Sequence, residues 1–154
     1  MFWGSFRWGC IGPGTFFELE EKQKVNSTVY RDQILLGPLK DMWEESFGEV
    51  DPIVMEDGAP VHKKVCIPER AHLEMESLPH PPTSPDLNPI ENVWHHIKEV
   101  VAKNHTTITS KDELRRTVLK IWNEFPQDKW NYLVESMPDR MKAVIKAKGG
   151  STKW

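Results

Sequence analysis

Cysteine is scarce in this 154-residue chain. Cys10 and Cys66 are its only two, too few for a disulfide framework, and they read as reduced intracellular thiols. Long apolar runs are lacking too: none approaches the ~18 residues that a membrane-spanning helix requires. The first residues show no basic segment followed by an apolar stretch and a small-residue cleavage site, so secretion is not expected. A glycine-rich phosphate loop, a Ser/His/Asp arrangement and a Cys-x-x-Cys pair are all missing, which leaves no signature for those binding, acyl-transfer or redox chemistries. There is no internal repeat and no low-complexity tract. A strong basic excess is lacking as well: the net charge of −3 argues against an indiscriminate nucleic-acid binder.

What is present fits one ordinary domain with a real core, and is too short for two comfortable ones. With 28% charged and 38% hydrophobic residues, the balance is that of a soluble globular protein. The charge is uneven along the chain. Residues 1–60 carry 5 basic and 11 acidic side chains, a balance of −6, whereas 139–154 set Arg140, Lys142, Lys146, Lys148 and Lys153 against Asp139 alone, a balance of +4. Arg140, Lys142, Lys146 and Lys148 are therefore candidates for phosphate contact, with a solvated charged helix as the plain alternative.

Taken in order, residues 1–20 place aromatic and β-favouring side chains around Gly12-Pro13-Gly14 and read as a β-hairpin. Asn26 or Ser27 can cap a helix through Tyr30, Ile34, Leu35, Leu39, Met42 and Trp43, with a bend or break at Gly37-Pro38. Asp51-Pro52 starts a short apolar strand that stops at Asp57-Gly58, a turn signal. A helix over about 62–72 and a strand over 73–78 are expected next, and Pro79, Pro81 and Pro82 then stiffen a linker. Beyond a helix at about 89–103, Ser110 and Glu113 form a capping box that opens another. Pro126 and Pro138 separate two more helices before Gly149-Gly150. The seven tryptophans read mostly as core. Adjacent histidines at His95-His96 diverge by about 100° on a helix and make a poor zinc site.

Two stretches carry chemistry. In Ser84-Pro85-Asp86-Leu87-Asn88-Pro89-Ile90-Glu91-Asn92-Val93-Trp94, Pro85 keeps Ser84 extended, Asn88 suits an N-cap and Pro89 suits the first helical position. Glu91 stands three residues after Asn88, where its carboxylate can close a capping box, and that role alone would account for it. Ile90, Val93, Trp94, Ile97 and Val101 share one helical face. The second stretch is Pro52 to His62, in which Asp57 would stand at the end of a buried strand, where ligands of α/β sheets collect. A carboxylate at a strand end with another in the first turn of a helix can hold magnesium for phosphoryl transfer. Among 23 acidic residues such a pair is weak evidence by itself.

Together the two stretches resemble the DDE transposases of the Tc/mariner superfamily. Asp57-Gly58-Ala59-Pro60-Val61-His62 is similar to the family's second-aspartate motif, and the segment from Ser84 to Trp94 to its third-carboxylate motif. Residues 58–90 between the two carboxylates fall one short of the interval usual in one branch. Ser136-Met137-Pro138, Arg140 and the run from Ala143 to Gly150 with Thr152-Lys153 resemble the usual C-terminal end, and Trp8-Gly9-Cys10-Ile11 is a weaker match near the start.

The resemblance implies an α/β, ribonuclease H-like (DDE transposase) fold, here N-terminally truncated and lacking the central first strand, with a helical C-terminal part. It implies a single partial catalytic domain over 1–154, with sheet and active-site helix in 1–103 and C-terminal helices in 104–154. Asp57 and Glu91 would be catalytic, metal-holding carboxylates for Mg2+ or Mn2+. The implied chemistry is two-metal, in-line cleavage and strand transfer at DNA phosphodiesters. Expected partners are DNA, as transposon ends and target, and another copy or an intact transposase, with no membrane; the implied location is the nucleus. The family's first carboxylate normally lies upstream of the Trp-Gly-Cys segment and has no counterpart among these residues. The chain is therefore expected to be inactive alone, poorly stable at its unpaired strand edges and prone to self-association. The alternative is a domesticated remnant that binds DNA or a transposase.

Overall fold

The computed structural model describes residues 1–48 and 51–154. Its backbone groups into two compact units, one of Met1 with Phe17–Ser84, the other of Phe2–Phe16 with Pro85–Trp154. The division expected at 103/104 does not follow this grouping, because the N-terminal hairpin packs with the C-terminal helices.

In the second unit, Phe2, Gly4 and Phe6 alternate along β1 (Phe2–Arg7), which pairs antiparallel with β2 (Cys10–Phe16). Four helices follow: α4 (Ile90–Lys103), α5 (Lys111–Glu124), α6 (Gln127–Glu135) and α7 (Met137–Lys146), numbered after three in the first unit. Val93, Ile97, Val118, Trp122, Phe125, Trp130 and Leu133 form the buried cluster, and Phe2, Phe6, Ile11 and Phe16 of the hairpin lie against it. The apolar face expected on α4 is thus turned inward. At α5 the expected capping box is formed: the Glu113 N–H donates to Ser110 Oγ at 3.1 Å, and Glu113 Oε2 accepts the Ser110 N–H at 3.2 Å.

The hairpin turn is not where the sequence suggested. The chain reverses at Trp8-Gly9, with Gly9 at φ +73°, a conformation glycine adopts freely. Gly12-Pro13-Gly14 lies inside β2 instead. Its glycines serve an indole: a Cβ added at Gly4 or Gly14 would stand 2.3 Å or 2.7 Å from the Trp122 ring. Trp122 Nε1–H donates to the Gly12 carbonyl at 3.1 Å, so the ring is both seated and satisfied. The tryptophans as a group are less buried than expected. Trp122 and Trp130 are fully enclosed, while Trp8 is 58% exposed.

In the first unit, Asn26 Oδ1 accepts the Thr28 and Val29 N–H groups and starts α1 (Ser27–Tyr30). Helical winding runs on from Arg31, is interrupted at Gly37 and resumes into α2 (Lys40–Glu44). The cause is the expected break: Gly37 leaves helical geometry at φ −125°, ψ −112°, and Pro38 has no N–H to give. Tyr30, Ile34, Leu35, Leu39 and Met42 are buried. The two expected strands are short, β3 (Val54–Met55) and β4 (Ser77–Leu78), paired in parallel. Between them a tight turn at Pro60–His62 leads to α3 (Cys66–His72). Pro68 sits in its first turn, where the N–H groups have no helical partner, and is tolerated there.

Candidate active site: two motif carboxylates and their supports

Asp57 belongs to the first unit and Glu91 to the second. Asp57 lies two residues beyond β3, and its side chain is 47% exposed. Its Oδ1 accepts the Ala59 N–H at 2.9 Å and stands 2.9 Å from His62 Nδ1. Both contacts fall on Oδ1 and orient the carboxylate. Glu56 is mostly buried, accepts from the Tyr30 hydroxyl and pairs with Arg70. Arg70 Nη1 also donates to the His62 carbonyl at 2.9 Å, and the rings of Tyr30 and His62 lie 4.6 Å apart. One buried guanidinium thus ties both ends of the Asp57 turn.

Sequence reading missed Glu56, Tyr30 and Arg70 as supports. A second carboxylate one residue from the motif aspartate was the available signal. Nearby Cys66 is fully buried, and that burial pushes its thiol pKa up against the opposing pull of Arg70. It is a packing residue, held at 3.3 Å from the carbonyls of Ser27 and Val61.

Glu91 stands in the first turn of α4. The capping box expected from Asn88 is not formed: Pro89 is already helical at φ −65°, ψ −21°, with no side-chain cap. A tight turn over Pro85–Leu87 precedes it, so the Asn88 N–H donates to the Pro85 carbonyl and the Glu91 N–H to the Asn88 carbonyl, at 3.0 and 3.1 Å. Backbone carbonyls do the work that the cap would have done, and the Glu91 carboxylate is not spent on capping.

Of the four candidate phosphate contacts, three are exposed and one is not. Lys142, Lys146 and Lys148 face solvent, with Lys142 paired to Asp139 at 3.0 Å. Arg140 is 1% exposed. Its Nε donates to Ser136 Oγ at 2.8 Å, Nη1 to the Asp86 carbonyl at 3.0 Å and Nη2 to Asn92 Oδ1 at 2.7 Å. Its guanidinium also lies 4.8 Å from the centre of the Trp154 ring. Burial lowers its pKa, opposed by Tyr132 and Asp86. A side chain with its donors committed inside the protein is not free for DNA phosphate, so Arg140 leaves that set.

Asp57 and Glu91 are hard oxygen donors of the kind that Mg2+ and Mn2+ take. Among the described residues, no group of three His, Cys, Asp or Glu side chains stands together to hold an ion. The donors fit such a metal in kind and fall short in number.

The chain resembles known proteins along most of its length. Residues 15–115, which include both motifs, match the family model described as DDE superfamily endonuclease. The Tc3 transposase of Caenorhabditis elegans is 29% identical over 146 residues, 92% of this chain and 43% of that protein. This chain spans about half the length of the curated relatives it matches. The structure of the Mos1 transposase catalytic domain and Raltegravir with Mn superposes with TM-score 0.73 at 18% identity, over 86% of this chain and 68% of that one. The Mos1 paired-end complex with left transposon end gives 0.64 at 20%, over 85% and 38%. At these identities the superpositions show the fold, ribonuclease H-like and mixed α/β, as expected. With a family match over residues 15–115, about two thirds of its length, the chain belongs to the DDE superfamily endonucleases.

Proposed function

We propose that this chain acts as part of a transposase catalytic domain, with Asp57 and Glu91 supplying two of the carboxylates that hold Mg2+ or Mn2+ against DNA. The observation that carries the reading is the family match over residues 15–115, a span that includes Asp57 and Glu91, whose flanking sequences resemble the second and third carboxylate motifs. Two features support it. Asp57 is oriented through one oxygen only, and Glu91 is free of the helix cap that would otherwise explain it. The metal named with the Mos1 catalytic domain is Mn, and the transposon end named with Mos1 points to DNA as partner. A role on DNA would be carried out in the nucleus.

When bound, a divalent ion would supply Lewis-acid stabilisation of charge on the phosphate. The contribution of the chain itself is to hold the two carboxylates oriented, Asp57 through Ala59 and His62, Glu91 through the start of α4. Exposed Lys142, Lys146 and Lys148 would add nonspecific attraction to the backbone of the DNA. Two carboxylates furnish less charge and fewer ligands than such a site uses, so the chain alone is not expected to nick DNA.

The test is Mn2+ titration of the purified chain, followed by paramagnetic resonance of the free ion. Asp57→Ala and Glu91→Gln should each weaken binding by at least about tenfold, the scale on which metal sites respond to altered ligation. Wild-type affinity in both variants would end the reading. So would Mn2+-dependent DNA nicking that persists in both.

A further inference from the structure

We propose that Arg140 is the positioning residue for Glu91, an inference that rests on the reading of Glu91 as a metal ligand. The argument starts from the surroundings of Arg140. Its guanidinium is buried with three neutral acceptors, Ser136 Oγ, the Asp86 carbonyl and Asn92 Oδ1, and with the face of Trp154. A buried cation is a poor device for stability alone, since an apolar side chain of similar volume is often as stable or more so. What the planar five-donor fork adds is direction: it fixes several acceptors at set angles at once.

The acceptors it fixes bracket the third-carboxylate motif. The Asp86 carbonyl lies 54 positions away in sequence and stands at the start of the motif. Asn92 lies 48 positions away, in the first turn of α4 and next to Glu91. That turn has no side-chain cap of its own; beside the backbone carbonyls that start it, α7 holds it through the Arg140 guanidinium. The outer end is anchored as well, because Ser136 Oγ donates to the Leu133 carbonyl at 2.7 Å. Thr152 Oγ1 donates to the Asp86 carboxylate at 3.0 Å and leads to Trp154, which covers the guanidinium. Lysine in place of Arg140 would keep the charge and could reach one acceptor, but it could not hold both sides of the motif.

Arg140→Lys separates this from a plain packing role. The variant should keep a single cooperative melt and bind Mn2+ roughly tenfold more weakly, the usual effect of removing a group that orients a ligand. In a Glu91→Gln background the same substitution should cause no further loss, because the two act through one interaction. Asn92→Ala, at an exposed position, removes the same contact from the other side and should weaken Mn2+ binding in the same direction. It serves as the deciding variant if Arg140→Lys does not fold. Wild-type Mn2+ affinity in a folded Arg140→Lys or Asn92→Ala, with Glu91→Gln impaired, would overturn the positioning role and leave the metal reading standing. Unimpaired Glu91→Gln would overturn the metal reading itself.

Discussion

Trp122 shows how one side chain can dictate residues far from it in sequence. Its ring occupies the space where Gly4 and Gly14 would carry a Cβ, and its N–H is committed to Gly12. Alanine at Gly14 should therefore destabilise the protein by about 1–3 kcal/mol, the usual penalty for forcing atoms into a packed core. Chemical denaturation of Gly14→Ala would read this, and an unchanged midpoint would mean that the hairpin can lift off the ring. Residue identity also decides where phosphate attraction resides. With Arg140 buried, the proposed attraction would fall to the exposed lysines, and Lys146→Gln with Lys148→Gln should lower the salt dependence of DNA binding by roughly two phosphate equivalents. Fluorescence anisotropy on duplex DNA at several salt concentrations measures that slope. Equal slopes in the variant and the parent would show that other residues meet the DNA. Sequence alone could mark all four basic residues but could not sort them, because exposure depends on acceptors 48 and 54 positions away.

At the scale of elements, α4 and α5 begin in opposite ways. The cap of α5 was legible because its chemistry is local: Ser110 and Glu113 need only each other. The start of α4 misled the same reasoning, because the turn at Pro85–Leu87 had already supplied the carbonyls. Backbone and side-chain donation from Thr109, then Ser110 and the Arg116 charge, holds the Glu113 carboxyl below its ordinary 4.5. The sign follows from linkage. A carboxyl lowered in the folded state adds stability that is present above its unfolded value and is lost as pH falls through the lower, folded one. Melting temperature should therefore drop further between about pH 5 and about pH 3 in the wild type than in Glu113→Gln, whose amide keeps a neutral version of the cap. Superimposable acid profiles would remove Glu113 from the acid response.

For the whole molecule, the motifs and most helices could be read from the sequence, whereas the grouping of the hairpin with the C-terminal helices could not. That grouping depends on Gly12 meeting Trp122, 110 positions apart, and no local pattern encodes such a meeting. The strands are where stability should be weakest. Among the described residues, β1 pairs only with β2 and β3 only with β4, so each pair leaves open edges, which invite pairing with other chains. Apparent mass on size-exclusion chromatography with light scattering should rise with protein concentration. A sharply melting monomer at every concentration would rule this out. The aromatic cluster also makes the second unit visible to light. Trp94 and Trp122 lie 5.5 Å apart at 22°, and Trp122 and Trp130 4.9 Å apart at 64°, close enough for their excited states to mix. Six of the seven tryptophans belong to that unit, and Trp43, against Phe47, belongs to the other. Exciton-coupled dichroism would therefore fade when the second unit opens and would be blind to the first, whose single tryptophan has no indole partner among these pairs.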